Sequence, residues 1–442
     1  MRKSVRRSFV QMLVLATWTI GVALGVPGAA AAQAPVPERL SLRDAVTLAV
    51  ERNPIMAAAR AGVDAAAADR VSASRRLNPA VSVDSNGYPV FESTRPGYWD
   101  GQEFTVRVDQ EFETSGRRRL RTEVAESAQT TARHTADDRA RQLGLEVRRA
   151  YLAAVLAGAD RGVAQTSLDE IDRVIALNRA RLEQGEISGA ELRRLQVERL
   201  RFLEDVFAAD LAQKNARSVL LALLNAPRLD QPLDLTDGLK PSASEGPDAA
   251  MATAANAARA PSFLAQALED RPDVLAARQE QAQALTSTRL QRALRTPSIT
   301  VGGGYQNNFG QDGVVFGVTV PLPFFNQNQG GIARAEAERR AADARAEATT
   351  TAVRLDVQRA LNAVETNRAR VDYIEREYLA NAQQSRDIVL ESYRLGVANL
   401  IDFLDAQRAY RDTQRTYNRA LFDQRVSFFE LAAAVGLPDG QP

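Results

Sequence analysis

The sequence predicts a mainly α-helical chain with a membrane β-barrel portion, built from a duplicated helix–hairpin–long-helix unit. Three observations predict it. The two halves repeat each other in register, four short segments alternate apolar with polar residues, and two very long stretches carry no proline.

The repetition appears first in the prolines. Asn53-Pro54 matches Arg271-Pro272, and in each half a second proline, Pro79 or Pro297, follows 25 residues later. Phe104-Thr-Val-Arg-Val matches Phe316-Gly-Val-Thr-Val, and Gly185 matches Gly396, with Pro227 and Pro438 each 42 residues beyond. Offsets of 218, 212 and 211 along the chain mean one duplicated unit with few insertions. The predicted organisation is a first repeat over 33–227, a polar linker over 228–260, a second repeat over 261–438 and a tail over 439–442.

Each repeat opens with an alanine-rich helix, about 41–76 and about 261–293. Strands follow at about 80–91 and 102–113, and again at about 297–307 and 313–324. Phe104, Val106 and Val108 alternate with Thr105, Arg107 and Asp109, while Val81 and Val83 alternate with Ser82 and Asp84. Phe316, Val318, Val320 and Leu322 alternate with Gly317, Thr319 and Pro321, and Ile299, Val301 and Tyr305 share a face. Apolar-out, polar-in alternation over about ten residues is the pattern of a membrane barrel strand. Periodicity alone fits a half-buried strand of a soluble sheet equally well. Gly302-Gly303-Gly304 lacks the Lys-Ser/Thr of a phosphate loop and reads as the small inward face of a strand.

No proline lies between Pro96 and Pro227 or between Pro323 and Pro438, and these stretches are rich in Ala, Arg, Glu, Leu and Gln. Long helices are predicted at about 117–184 and 188–225, then at about 330–395 and 399–435. Val357, Leu361, Val364, Val371 and Tyr378, like Leu168, Ile171, Ile175 and Leu182, step in the manner of a heptad seam. A helix from Gly116 to Gly185 is roughly 100 Å long at about 1.5 Å per residue, a rod rather than a globular helix.

Composition sets the class. Of 442 residues, 45% are apolar and 25% charged, which fits neither a disordered chain nor a polytopic helical membrane protein. Arg2, Lys3, Arg6 and Arg7 precede an apolar run from Phe9 to Val26, and Ala30-Ala31-Ala32 supplies small residues for cleavage. That order reads as a secretory signal peptide over 1–32, against the competing reading of a retained anchor. Its removal takes away four positive charges, so the formal charge moves from +1 to −3 and leaves no basic excess for nucleic acid. With no cysteine there is no disulfide, thiolate metal site or lipidated cysteine. Four strands cannot close a membrane barrel, whose bacterial minimum is about eight, so the chain is expected to oligomerise.

At this point the sequence resembles the TolC-type outer-membrane efflux protein family, over about 40–438. The paired turns carry the resemblance: Leu182-Glu-Gln-Gly185-Glu-Ile-Ser188-Gly-Ala-Glu191-Leu and Leu395-Gly396-Val-Ala-Asn399-Leu-Ile-Asp402-Phe-Leu-Asp405-Ala-Gln407. The resemblance implies a homotrimer with a 12-stranded barrel in the outer membrane, four strands from each protomer, and a periplasmic α-helical coiled-coil tunnel. It implies a periplasmic adaptor (membrane fusion) protein, an inner-membrane pump and outer-membrane lipid as partners. The junctions Gln110-Glu-Phe112-Glu-Thr-Ser-Gly116-Arg-Arg-Arg119 and Pro321-Leu-Pro-Phe324-Phe-Asn326-Gln-Asn-Gln-Gly330 are similar to those of cobalt–zinc–cadmium efflux subunits. That similarity implies a resistance–nodulation–division pump and metal-cation cargo. Drugs or a secreted polypeptide are the alternative cargo, and a soluble periplasmic adaptor or scaffold is the alternative class.

The candidate sites follow the turns. Gly185 and Gly396 suit the left-handed conformation at a helix end, which explains them without further function. The resemblance adds that these tips face the adaptor, with Ile187, Ser188, Val397 and Ala398 exposed there. Ser188 with Glu191, and Asn399 with Asp402, read as helix caps. The resemblance implies instead that Asp402 and Asp405 line the periplasmic aperture and that Tyr393 helps hold it shut; Glu191, the duplicate of Asp402, joins that set. Asp405 matches Arg194 in the first repeat, so duplication does not require an acid there, and a solvated helix acid is its other reading. The family's basic gate partner falls at Ala398, which cannot form a closing salt bridge.

The basic run Arg117-Arg118-Arg119 reads either as a solvated face or as a headgroup anchor. Tyr88, Tyr98 and Trp99 belong to an aromatic girdle or an outer loop. No enzyme is expected: His134 is the only histidine, which leaves no triad and no multi-histidine zinc site, and no cofactor or resident metal is predicted.

Overall fold

The computed structural model describes residues 35–86, 103–240 and 260–437. The signal peptide over 1–32, the aromatic residues Tyr88, Tyr98 and Trp99, and the tail over 439–442 lie outside the described residues. Two compact units divide the chain, 1–36 and 37–442, and the second carries every element named here.

Each repeat begins with a broken helix rather than the single one expected. The first is α1 (Leu42–Arg52) and α2 (Pro54–Ser74), and the second is α5 (Ala260–Asp270) and α6 (Pro272–Ala293). Proline crowds the residue before it out of the α region. Asn53 accordingly sits at ψ 131° and Arg271 at ψ 128°, and each starts the following helix with proline in its first turn.

Helix α3 (Arg117–Glu183) is one unbroken rod of 67 residues, and α4 (Gly189–Leu223) returns beside it. Their counterparts differ. Helix α7 (Gln329–Tyr373) passes through a π-helical turn, Ile374–Leu379, into α8 (Ala380–Arg394), and α9 (Leu400–Val435) returns. The continuous helix expected over 330–395 is therefore interrupted. Val357, Leu361, Val364 and Val371 are buried as the heptad steps require, but Tyr378 is exposed. Beyond the wider turn the buried seam resumes at Leu390 and Tyr393, one residue later than an unbroken heptad count from Val371 would place it.

Four strands form one antiparallel sheet in the order β2 (Ala80–Asn86), β3 (Glu103–Phe112), β5 (Ile299–Asn308), β6 (Gln311–Thr319). The hairpin between β5 and β6 turns on Phe309 and Gly310, both at positive φ, a tighter turn than expected. Strand β6 ends at Thr319 instead of running to 324, because Pro321 and Pro323 have no N–H to give the ladder.

The register sorts the sheet into two faces. Val81 pairs with Val108, Val108 with Gly303, and Gly303 with Phe316; Val83, Val106, Tyr305 and Val314 form the neighbouring row. These two rows are apolar from edge to edge, with Ser85, Asn307 and Asp312 in the row beyond, and Val314 and Phe316 are 90% and 76% exposed in the protomer. The opposite face carries Ser82, Asp84, Glu103, Arg107, Asp109 and Gln306. Gly302 and Gly304 lie on that polar face, while Gly303 lies on the apolar one, so the three glycines do not share the single inward face expected.

Of the linker expected over 228–260, residues 241–259 lie outside the described residues, and the part up to Lys240 is packed against the helices. Strand β4 (Asp234–Leu235) pairs in parallel with β1 (Arg39–Leu40), and Leu233 and Leu239 are buried. Asp237 accepts from the Leu42 amide at 2.7 Å, and Lys240 donates to Glu375 in the π turn at 2.9 Å. Arg117 is half-buried, and its guanidinium donates to Ser298 Oγ at 2.8 Å and to the Ala293, Leu294 and Thr296 carbonyls, stapling the start of β5. Arg118 and Arg119 are exposed.

Candidate functional site at the helical hairpin tips

The two tips share the same pair of closing bonds. After α3, Gly185 takes φ 76°, its amide donates to the Leu182 carbonyl at 3.0 Å, and Glu186 donates to Arg181 at 2.9 Å. After α8, Gly396 takes φ 77°, its amide donates to the Tyr393 carbonyl at 3.0 Å, and Val397 donates to Ser392 at 2.8 Å. This pair of bonds closes a helix end through a left-handed residue, the conformation glycine adopts without steric cost.

The return helices are capped in register. Ser188 Oγ accepts from the Glu191 amide at 3.2 Å, and Asn399 Oδ1 accepts from the Asp402 amide at 2.9 Å. Capping thus accounts for Ser188 and Asn399 and for the backbone of both acids. The carboxylates are a separate matter: Glu191 is half-buried, whereas Asp402 and Asp405 are exposed. Asp405 lies 3.4 Å from Arg408, which also reaches Glu198 on α4 at 2.5 Å. Glu198 in turn meets Arg201 at 3.1 Å, so the acid belongs to a charged ladder between α9 and α4.

Tyr393 lies inside the protomer. It is 3% exposed, its hydroxyl donates to Asn178 Oδ1 at 2.9 Å, and its ring stacks on Phe403 at 5.5 Å. Burial pushes the phenol above its usual pKa. Arg181 sits over the same ring at 5.8 Å and donates to the Tyr393 and Arg394 carbonyls at the end of α8. Within the protomer Tyr393 thus ties α8 to α3 behind the tips.

At the tip surface Val397 is 82% exposed and Leu395 is 79% exposed, Ser188 is exposed, and Ile187 and Ala398 are half-buried. Ala398 packs against the cluster formed by Leu168, Ile171, Leu195, Phe202, Leu400 and Phe403. Asn178, Arg181 and Arg408 were not among the residues the sequence singled out. Asn178 had a signal, a lone polar residue seven positions after Ile171 on an otherwise apolar seam.

A four-stranded antiparallel sheet with one apolar and one polar face, carried on helical hairpins that end in twin glycine turns, defines a protomer of an outer-membrane channel. The chain belongs to the outer membrane efflux protein family, which it matches over residues 45–226 and 263–437, one span in each repeat. Among its relatives is the cobalt-zinc-cadmium resistance protein CzcC of Cupriavidus metallidurans, 24% identical over 373 residues, 84% of this chain and 83% of CzcC. In fold it is similar to the outer membrane protein VceC of Vibrio cholerae, with a TM-score of 0.72, 18% identity, and coverage of 89% of this chain and 96% of VceC. The outer membrane channel CmeC of Campylobacter jejuni gives a TM-score of 0.70 at 16% identity, over 89% of this chain and 85% of CmeC. The protein is thus an outer-membrane efflux channel component.

Proposed function

We propose that the chain assembles as a homotrimer and serves as the passive exit duct of a tripartite system that expels metal cations. The sheet carries this reading. Strands β2 and β6 each have one unpaired edge among the described residues, and an open, apolar-faced sheet cannot stand in a bilayer. Three copies joined edge to edge place twelve strands in one closed wall, within the range of bacterial barrels.

The relation to a cobalt-zinc-cadmium resistance protein supports metal-cation cargo. Energy comes from an inner-membrane pump of the resistance–nodulation–division class, reached through a periplasmic adaptor. The apolar tip residues Leu395 and Val397, with Ile187, Ser188 and Ala398 beside them, suit that adaptor contact. Threefold repetition turns Asp402 and Asp405 into acidic rings at the tunnel mouth, with Glu191 behind them, and such rings favour cations. Tyr393 acts there as a positioning residue. The chain itself performs no chemistry.

The test is outer-membrane fractionation and cross-linking, then planar-bilayer conductance with and without Asp405→Ala, alongside growth on zinc, cadmium and cobalt when the protein is removed. Trimers with cation-preferring pores and a metal-sensitive deletion support the reading, and a larger current in Asp405→Ala places that acid at the aperture. A soluble monomer without conductance overturns the channel, and a deletion sensitive to organic drugs alone overturns the cargo.

A further inference from the structure

Among the described strand residues, the polar face of the sheet has a single base, Arg107, in the middle of β3. Its side chain does not stand up from the sheet. It folds back across β5, with Nη2 at 2.7 Å from Asp109 Oδ1 on the same strand and face. The seat beneath it is made of glycines. A Cβ at Gly302 would collide with the Asp109 carboxylate and come within 2.8 Å of Arg107 Nε. On β6 a Cβ at Gly317 would lie 3.2 Å from Nη2 and 3.5 Å from Cζ, and Gly302 and Gly317 are register partners. Arg107 Nε and Asp109 Oδ1 are both shut off from solvent, although the face they belong to is polar.

The remaining charges of that face are Asp84, Glu103 and Glu111, all acidic. Inside a barrel the polar face lines the bore. A free arginine there would add a ring of three positive charges at mid-height and narrow the passage. We infer that the Gly302–Gly317 trough and Asp109 together hold Arg107 flat against the wall, which keeps the bore open and cation-selective. Asp109, Gly302 and Gly317 are then specificity-determining residues that act by positioning Arg107. The inference rests on the channel reading above.

Three variants test it in planar bilayers at low salt, where fixed charges in the bore are least screened. Asp109→Asn removes the anchor, and Gly302→Ala drives the Asp109 carboxylate, and the guanidinium with it, out of the trough with the net charge unchanged. Both are expected to lower single-channel conductance by about two-fold and to shift the reversal potential toward anion permeability. Arg107→Gln distinguishes a seated from a projecting arginine. If Arg107 is seated, this variant keeps the wild-type conductance and gains cation selectivity. A rise in conductance in Arg107→Gln, or wild-type currents and reversal potentials in trimeric Asp109→Asn and Gly302→Ala, overturns the inference. A wild-type protein that forms no pore overturns the channel reading instead.

Discussion

Tyr393 and Asn178, far apart in sequence, meet behind the hairpin tips: the phenol donates to Oδ1 of Asn178 at 2.9 Å, and both side chains are buried. Asn178 spends its own amide on the Val174 carbonyl at 2.9 Å. Tyr393→Phe keeps the stack on Phe403 and strands a buried acceptor, at a cost of about 1–3 kcal/mol. Hydrogen exchange at amides 176–184 and 390–398 should quicken, with the amides of the sheet unaffected.

The duplicated Asn53 and Arg271 do one job with different chemistry. Asn53 Nδ2 donates to the Leu223 carbonyl at 2.9 Å, and Arg271 Nη1 donates to the matching Ala434 carbonyl at 3.2 Å. Arg271 is buried and also pairs with Asp273 at 2.6 Å and with Asp356 at 3.3 Å. Arg271→Met leaves Asp273 without this cation and is expected to cost about 3–5 kcal/mol. Asn53→Ala removes a neutral cap and is expected to cost about 1–2 kcal/mol. Thermal unfolding of the two variants ranks them.

Acid should act through the same pair. Burial alone would raise the Asp273 carboxyl, but the hydrogen bond and charge of Arg271 outweigh it and hold the group below its usual range. A carboxyl depressed in the folded state stabilises it above the unfolded value of about 3.9, and that stability is lost as pH falls through the folded value. Wild-type melting temperature should therefore drop below about pH 4. The drop should be shallower in Arg271→Met, which melting curves across that window will show.

At the tips, added side chains meet no neighbour: nothing lies within 4 Å of a Cβ at Gly185 or Gly396. The cost of Gly396→Ala is then the left-handed backbone alone, about 1–2 kcal/mol. Gly396→Asn should cost less, because asparagine tolerates that region better. Adaptor pull-down should weaken in the same order, alanine more than asparagine.

The two faces of the sheet should answer oppositely to charge. Phe316→Arg puts a cation on the apolar face in the middle of β6 and is expected to cost about 2–4 kcal/mol in the membrane. Ser82→Arg sits on the polar face and should assemble normally. The yield of folded protein in outer-membrane fractions reads the difference.

Much of this architecture was legible along the chain because duplication and periodicity are one-dimensional signals. The matched prolines exposed the duplication, the glycines located both tips, and the alternation around Val106 and Val318 assigned the strand faces that the register later paired. What sequence could not reach are choices made by neighbours distant in the chain. Tyr393 matched an aperture position, yet within the protomer its hydroxyl meets Asn178 and its ring stacks on Phe403, partners that only the packing of three helices brings together. Asp405 read as a solitary acid until α4 and α9 were set side by side with Glu198 and Arg408 between them. The glycines around Arg107 looked like mere smallness in a strand, and only strand pairing showed that they make room for a folded-back guanidinium. Local propensity and pattern decide where elements begin and which face is apolar. Register, helix rotation and the pairing of distant charges depend on packing in three dimensions.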